Sequence, residues 1–185
     1  LFPYLLDGPL QLRRWPLASS FAQASKKTRT EEFDMATYTP EALLKMTTAE
    51  LDKLFADAPP GPIPNGEAQG TALIDPGTTS APEIAKVINH FGWQGKVFDA
   101  ANGTLVNHIG AFGMKAILAE VYPGQSLIDK KPCIVLDYSK TSFVAQRIRD
   151  EIRNIAPNTY LGPVYWDEKK LFYFSLHFGA ARNDQ

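Results

Sequence analysis

The chain reads as an α+β protein whose strands form an antiparallel β-barrel or a strongly curved, lipocalin-like sheet of about seven strands, with a few short helices. Three observations predict this. Beyond residue 92 apolar residues recur with a period of two along most of the chain. The segments between these runs are mostly short turns, so strands adjacent in sequence should pair antiparallel. An apolar share of 44%, with 11 Phe, 7 Tyr and 3 Trp in 185 residues, suits one packed core.

The first 34 residues differ in texture from the rest. Their apolar residues keep no steady period, and Arg13, Arg14, Lys26, Lys27 and Arg29 make them locally basic. Arg and Ser suit the remnant of a targeting segment, but Asp7, Glu31, Glu32 and Asp34 are acidic. Translation starting at Met35 is the other explanation. The organisation expected is a poorly ordered extension over 1–34 and a single barrel-like domain over 35–180.

"TPEALLKMTTAELDKLF" predicts two short helices. Thr39 caps the first, with Pro40 in its first turn, and Thr47 with Glu50 forms a capping box for the second. "APPGPIPNG" (58–66), with four prolines, is a stiff extended connector. "GTALI" follows as a strand. Ser80 and Glu83 open a helix over 80–91 with Ile84, Val87, Ile88 and Phe91 on one face, and Gly92 is placed to close it at positive φ. "KVFD" and "TLVNHI" flank the hairpin signal Asn102-Gly103. "KAILAEVY" and "PCIVLDYS" are two more strands. "TSFVAQRIRDEIRNIAPN" predicts a helix with Val144, Ile148, Ile152 and Ile155 as its buried stripe and Asp150 paired with Arg153 or Arg147 on its surface. The last strands are "TYLGPVYW" and "LFYFSLHF". In the final one Phe172, Phe174, Leu176 and Phe178 share a face opposite Tyr173, Ser175 and His177.

Charge and motif content exclude several classes. A net charge of −1 gives no global field for nucleic acid, and the aromatic residues are not interleaved with a basic stripe. No apolar run approaches the roughly 18 residues of a membrane-spanning helix. The single Cys133 lies in an apolar run and reads as a reduced structural thiol, which places the protein in the cytoplasm, or in an organelle if residues 1–34 are a targeting remnant. "GEAQG" lacks the Lys-Ser/Thr ending of a phosphate loop, "GQS" lacks the second glycine of a nucleophile elbow, and His90, His108 and His177 have no zinc-type spacing. Nothing here calls for a cofactor or a metal.

Six residues remain as candidate ligand contacts: Trp93, Lys96, Glu120, Asp137, Tyr138 and His177. Trp93 and Phe98 are expected to be buried where helix meets sheet, the indole N–H seeking one acceptor. Lys96 and Asp99, at opposite parity, should serve this corner first by reaching solvent or pairing locally. Glu120 alternates with Ala119 and Val121 and should point into water. Asp137 satisfies nearby backbone donors or, with Tyr138, stands at the mouth of a cavity.

"GEAQG", "GWQGKVFD", the strand ending at Asp137-Tyr138, the segment holding Asp150 and "NTYLGPVYW" together resemble a family of small bacterial proteins named for a Gly-x-Trp-x-Gly motif. Members carry a second signature, Gly-Trp-Tyr-Gly-Lys-x-Phe-Asp. Gly92, Trp93, Gly95, Lys96, Phe98 and Asp99 match it, with Gln94 in place of its tyrosine. In the first signature Ala68 stands where tryptophan is expected. The resemblance covers roughly residues 60–178, implies a compact β-rich domain and supplies no reaction.

The reading that follows is a protein binding a small apolar or lipid-like ligand in a barrel pocket. One alternative is a cofactor-independent isomerase or cyclase drawing acid–base residues from Asp137, Tyr138, Lys96, Glu120 and His177. Another is a structural or interaction module using the extension or the proline connector as an arm. The partner expected is a small molecule, with no nucleic acid and no membrane span; oligomeric state is not legible.

Overall fold

The computed structural model describes residues 38–74, 92–110, 114–143 and 145–179. The expectations for residues 1–34 and for the helix over 80–91 lie outside the described residues. Two helices begin where their caps predict. In α1 (Pro40–Leu43) the Thr39 hydroxyl accepts from the Ala42 N–H at 3.2 Å. In α2 (Thr48–Asp57) Thr47 Oγ1 accepts from Glu50 N at 3.3 Å while Glu50 Oε2 accepts from Thr47 N at 2.8 Å, the reciprocal arrangement of a capping box.

Eight strands follow: β1 (Gly66–Leu73), β2 (Trp93–Asp99), β3 (Thr104–Ile109), β4 (Met114–Gln125), β5 (Pro132–Asp137), β6 (Ile148–Ala156), β7 (Thr159–Trp166) and β8 (Lys169–Phe178). Each pairs antiparallel with the next, and β8 closes on β1, making a closed barrel. At the β2–β3 hairpin Asp99 accepts from the Asn102 backbone and side chain at 3.1 and 2.7 Å, and Gly103 takes φ 61°. Gly92 has the expected positive φ, 53°, and its carbonyl accepts from Gly110 N at 3.0 Å.

The eighth strand is β6, where the sequence predicts a helix. Ile148, Ile152 and Ile155 fit helical spacing, but the segment alternates. Ile148, Asp150 and Ile152 share the inward face, and Glu151, Arg153 and Ile155 the outward one. Both faces are buried, so the charged residues that mimic a solvated helical face are enclosed instead. Pairing decides the outcome: β5 and β7 both hydrogen-bond to β6, through Leu136↔Asp150 and Asp150↔Val164, and a helix here would leave two open edges. The expected surface pairings of Asp150 fail with the helix. Arg147 pairs with Asp167 and Arg153 with Asp129.

Two apolar cores lie on the two sides of the barrel wall. The inner one includes Phe98, Leu105, Leu136, Ile152, Phe174 and Leu176. The outer one packs Leu43, Leu51 and Phe55 of the helices against Cys133, Val135, Leu161 and Tyr173 of the strands. Cys133 is buried, and burial pushes its thiol up to about 12, consistent with a structural role. The proline connector is fixed to the barrel: Asn154 N donates to Pro59 O at 3.0 Å, Tyr160 OH to Pro62 O at 2.8 Å, and Ile63 packs against the inner core. Among the described residues no helix is long and apolar enough to cross a membrane.

Candidate functional site

Lys96 lies on β2 with Phe98 two residues on, and in a strand that places both on the inward face. Asn107 is its cross-strand partner on β3, Tyr138 follows the end of β5, and Asp150 lies near the start of β6. Trp93 reaches the same space because the register shifts between Trp93 and Gly95. Gly95 takes φ 151°, and a Cβ there would lie 2.0 Å from the Ala68 carbonyl oxygen. A Cβ on Gly70 would lie 2.3 Å from the Trp93 ring. The indole ring occupies the space that a side chain at Gly70 would need.

These residues form one hydrogen-bonded cluster inside the barrel. Lys96 Nζ donates to Asp150 Oδ2 at 2.9 Å, to Tyr138 OH at 2.6 Å and to Asn107 Oδ1 at 2.9 Å. Tyr138 OH donates to Asp150 Oδ2 at 3.2 Å. Asn107 Nδ2 donates to Ile117 O at 3.0 Å and to Tyr138 OH at 3.2 Å, and Trp93 Nε1 donates to Asn107 Oδ1 at 3.1 Å. Rings of Trp93, Tyr138 and Phe174 stand 5.5, 5.3 and 5.2 Å from the ammonium. The ion pair is desolvated, each side chain being 4% exposed.

Electrostatics hold the charge state of this cluster. Burial alone would lower the Lys96 pKa, but Asp150 and Tyr138 overcome it and keep the ammonium above its ordinary range. Burial, reinforced by Asp150, pushes the Tyr138 phenol up to about 12. Lys96 is therefore a cation and Tyr138 a neutral donor at physiological pH.

Of the six candidate residues, the structure brings Trp93, Lys96 and Tyr138 together and leaves three outside. Lys96 does not serve a solvent-facing corner, being 3% exposed, because strand parity turns it inward. Glu120 faces outward as expected, paired with Lys140 at 3.1 Å. Asp137 is also outside, accepting from Ser139 N at 2.8 Å and Tyr122 OH at 2.9 Å. His177 is on the outer face of β8, with Nε2 3.2 Å from Ser175 Oγ, and burial lowers its pKa. It lines a polar cleft of about 490 Å³ with Glu67, Gln69, Gln94 and His108, and the Trp93 ring forms part of the same wall; His108 Nδ1 lies 3.3 Å from Glu67 Oε1. Asn107, Asp150 and Phe174 were not among the candidates. Asn107 carried a usable signal, a polar residue at the parity of inward Leu105.

The arrangement is thus a closed antiparallel barrel with an ion-paired cluster on its inner wall. No protein-family model and no curated protein matches the chain. A crystal structure of a protein from Thermomonospora curvata is similar in fold, with a TM-score of 0.56 and 18% sequence identity over 73% of this chain and 89% of that one. At that identity the likeness speaks for the fold alone.

Proposed function

We propose that this protein binds a small apolar molecule inside the barrel, against the cluster of Lys96, Asp150, Tyr138 and Asn107. One observation carries this reading: an ion pair stands inside an apolar barrel, among three aromatic rings. Apolar residues of similar volume commonly hold a core as well as a buried ion pair does, because desolvation offsets the Coulombic gain. Recognition is a better account of such a cluster than stability. Inward-facing Ile117, Ile148 and Val164 are only partly buried, which supports an apolar contact for the body of a ligand. Trp93 and Lys96 belong to the signature that carries the family resemblance, and on this reading the signature is a site-forming segment.

The acid–base alternative has less support. Tyr138 at about 12 and Lys96 above its ordinary range are both far from the neutral values a proton-transfer group needs. No histidine is among the cluster's hydrogen-bond partners in the described residues. An interaction arm built on the proline connector has less support too, since Pro59, Pro62 and Ile63 are engaged with the barrel. Native mass spectrometry of the purified recombinant protein tests the binding reading. The expected result is a mass increment from a small molecule, lost on denaturation. A bare polypeptide mass under both conditions, with no uptake from an added library of apolar compounds, would count against it.

A further inference from the structure

Resting on that reading, we infer that the ligand is an uncharged apolar molecule with a hydroxyl or N–H group donated to Asp150 Oδ1, and that it is not a carboxylic acid. The protons of the cluster are all committed. Lys96 has three, Asn107 two, and Tyr138 and Trp93 one each. All seven point to acceptors within the cluster or its wall: two to Asn107 Oδ1, two to the Tyr138 oxygen, two to Asp150 Oδ2 and one to Ile117 O. The cluster has no donor left to offer. Among the described residues both donors to the Asp150 carboxylate, Lys96 Nζ and Tyr138 OH, fall on Oδ2, which leaves Oδ1 as the acceptor the cluster can offer a ligand.

Charge narrows the class further. The Lys96 ammonium and the Asp150 carboxylate cancel, so the site has no net charge to balance an ionic head group. A ligand carboxylate would meet a carboxylate oxygen with no N–H or O–H to receive it. A ligand ammonium could donate to Oδ1, but it would add a second buried cation beside Lys96 without a second anion. A neutral hydroxyl or N–H donates one proton and adds no charge. An acceptor beside a desolvated ion pair discriminates strongly, because an analogue lacking the donor leaves the carboxylate oxygen unsatisfied while still displacing water from it.

Equilibrium dialysis of the full chain at pH 7 against three probes of matched body tests this: 1-naphthol, 1-methoxynaphthalene and 1-naphthoate. The expected order is naphthol tightest, the methyl ether at least about tenfold weaker, and naphthoate at least about a hundredfold weaker. Equal binding of naphthol and its methyl ether, or tightest binding of naphthoate, would overturn the head-group inference and leave the binding reading standing. Uptake of none of the three, joined to a bare mass in the native spectrum, would overturn both.

Discussion

Strand β6 contributes to two buried ionic clusters on opposite sides of the barrel wall, and they are built differently. On the inward face Asp150 meets Lys96, Tyr138 and, through them, Asn107, and nearly every hydrogen-bond partner is a side chain. On the outward face Arg153, 1% exposed, donates twice to Asp129 at 2.8 and 2.7 Å. It also reaches the backbone carbonyls of Pro132, Phe55, Ala56 and Lys131, and its guanidinium stacks 4.5 Å from the Phe55 ring centre. The outer cluster therefore ties the end of α2, the β4–β5 loop and β6 together. Its backbone acceptors are fixed by the fold and cannot be substituted away. The inner cluster can be removed as a set. Charge buried against backbone reads as structure, and charge buried only against other side chains is free to serve recognition.

The largest effect expected is from Arg153→Met, which removes two hydrogen bonds from Asp129 and one from each of four carbonyls. It should cost about 3–5 kcal/mol in denaturant unfolding, and adding Asp129→Leu should recover only part of that. Full recovery would mean that the carbonyl contacts contribute little. Lys96→Met alone should cost a comparable 3–5 kcal/mol or so, since it strands the buried Asp150 carboxylate. The two differ in rescue. The inner loss should vanish when Asp150 and Tyr138 are replaced together with Lys96.

Stability against pH separates the clusters by sign. The Arg153 hydrogen bond holds Asp129 below the ordinary carboxylate range against the opposing effect of burial. A depressed carboxyl favours the folded state above its unfolded value of about 3.9, and that contribution is lost as pH falls through the folded value. Lys96 and Tyr138 are raised, so their contribution is complete below the unfolded values of about 10 and is lost as pH rises beyond them. Arg153→Met should flatten the acid limb of a melting-temperature profile and leave the alkaline limb. Flattening of the alkaline limb instead would contradict the assignment.

Smaller effects sharpen the contrast. Gly70→Ala should cost about 1–3 kcal/mol, because the new Cβ drives the Trp93 ring off its place and strains the inner wall. Trp fluorescence should shift with it; an unchanged spectrum would show that the ring does not depend on the gap. Glu120→Ala, which breaks an outward pair with Lys140, should change stability by less than about 0.5 kcal/mol in the same unfolding assay.

The barrel was legible in the sequence wherever one strand face was apolar and the other polar, as in "LFYFSLHF" and in the Asn102-Gly103 hairpin. The helix caps at Thr39 and Thr47 were legible because a few local hydrogen bonds define them. β6 was not, since its outward Arg153 is buried against a helix about a hundred residues earlier in the chain, and local pattern cannot register that. The site was half legible for the same reason. Trp93, Lys96 and Tyr138 stood out by residue type, but the partner that fixes Lys96 is Asp150, and it was read as a surface residue once β6 was read as a helix. His177, Asp137 and Glu120 are the right chemical types at the outward parity.

The most direct test of the account is the triple variant Lys96→Met/Tyr138→Phe/Asp150→Leu, which removes the ion pair and the phenol together and leaves Asn107 still bonded to Trp93 and Ile117. Stability by denaturant unfolding and binding of 1-naphthol by dialysis are measured on the same preparation. The account predicts stability within about 1 kcal/mol of the parent, or above it, with naphthol affinity reduced at least about tenfold. A variant that loses several kcal/mol while any that remains folded binds naphthol as the parent does would contradict it, and would make the inner cluster a structural element like the one around Arg153.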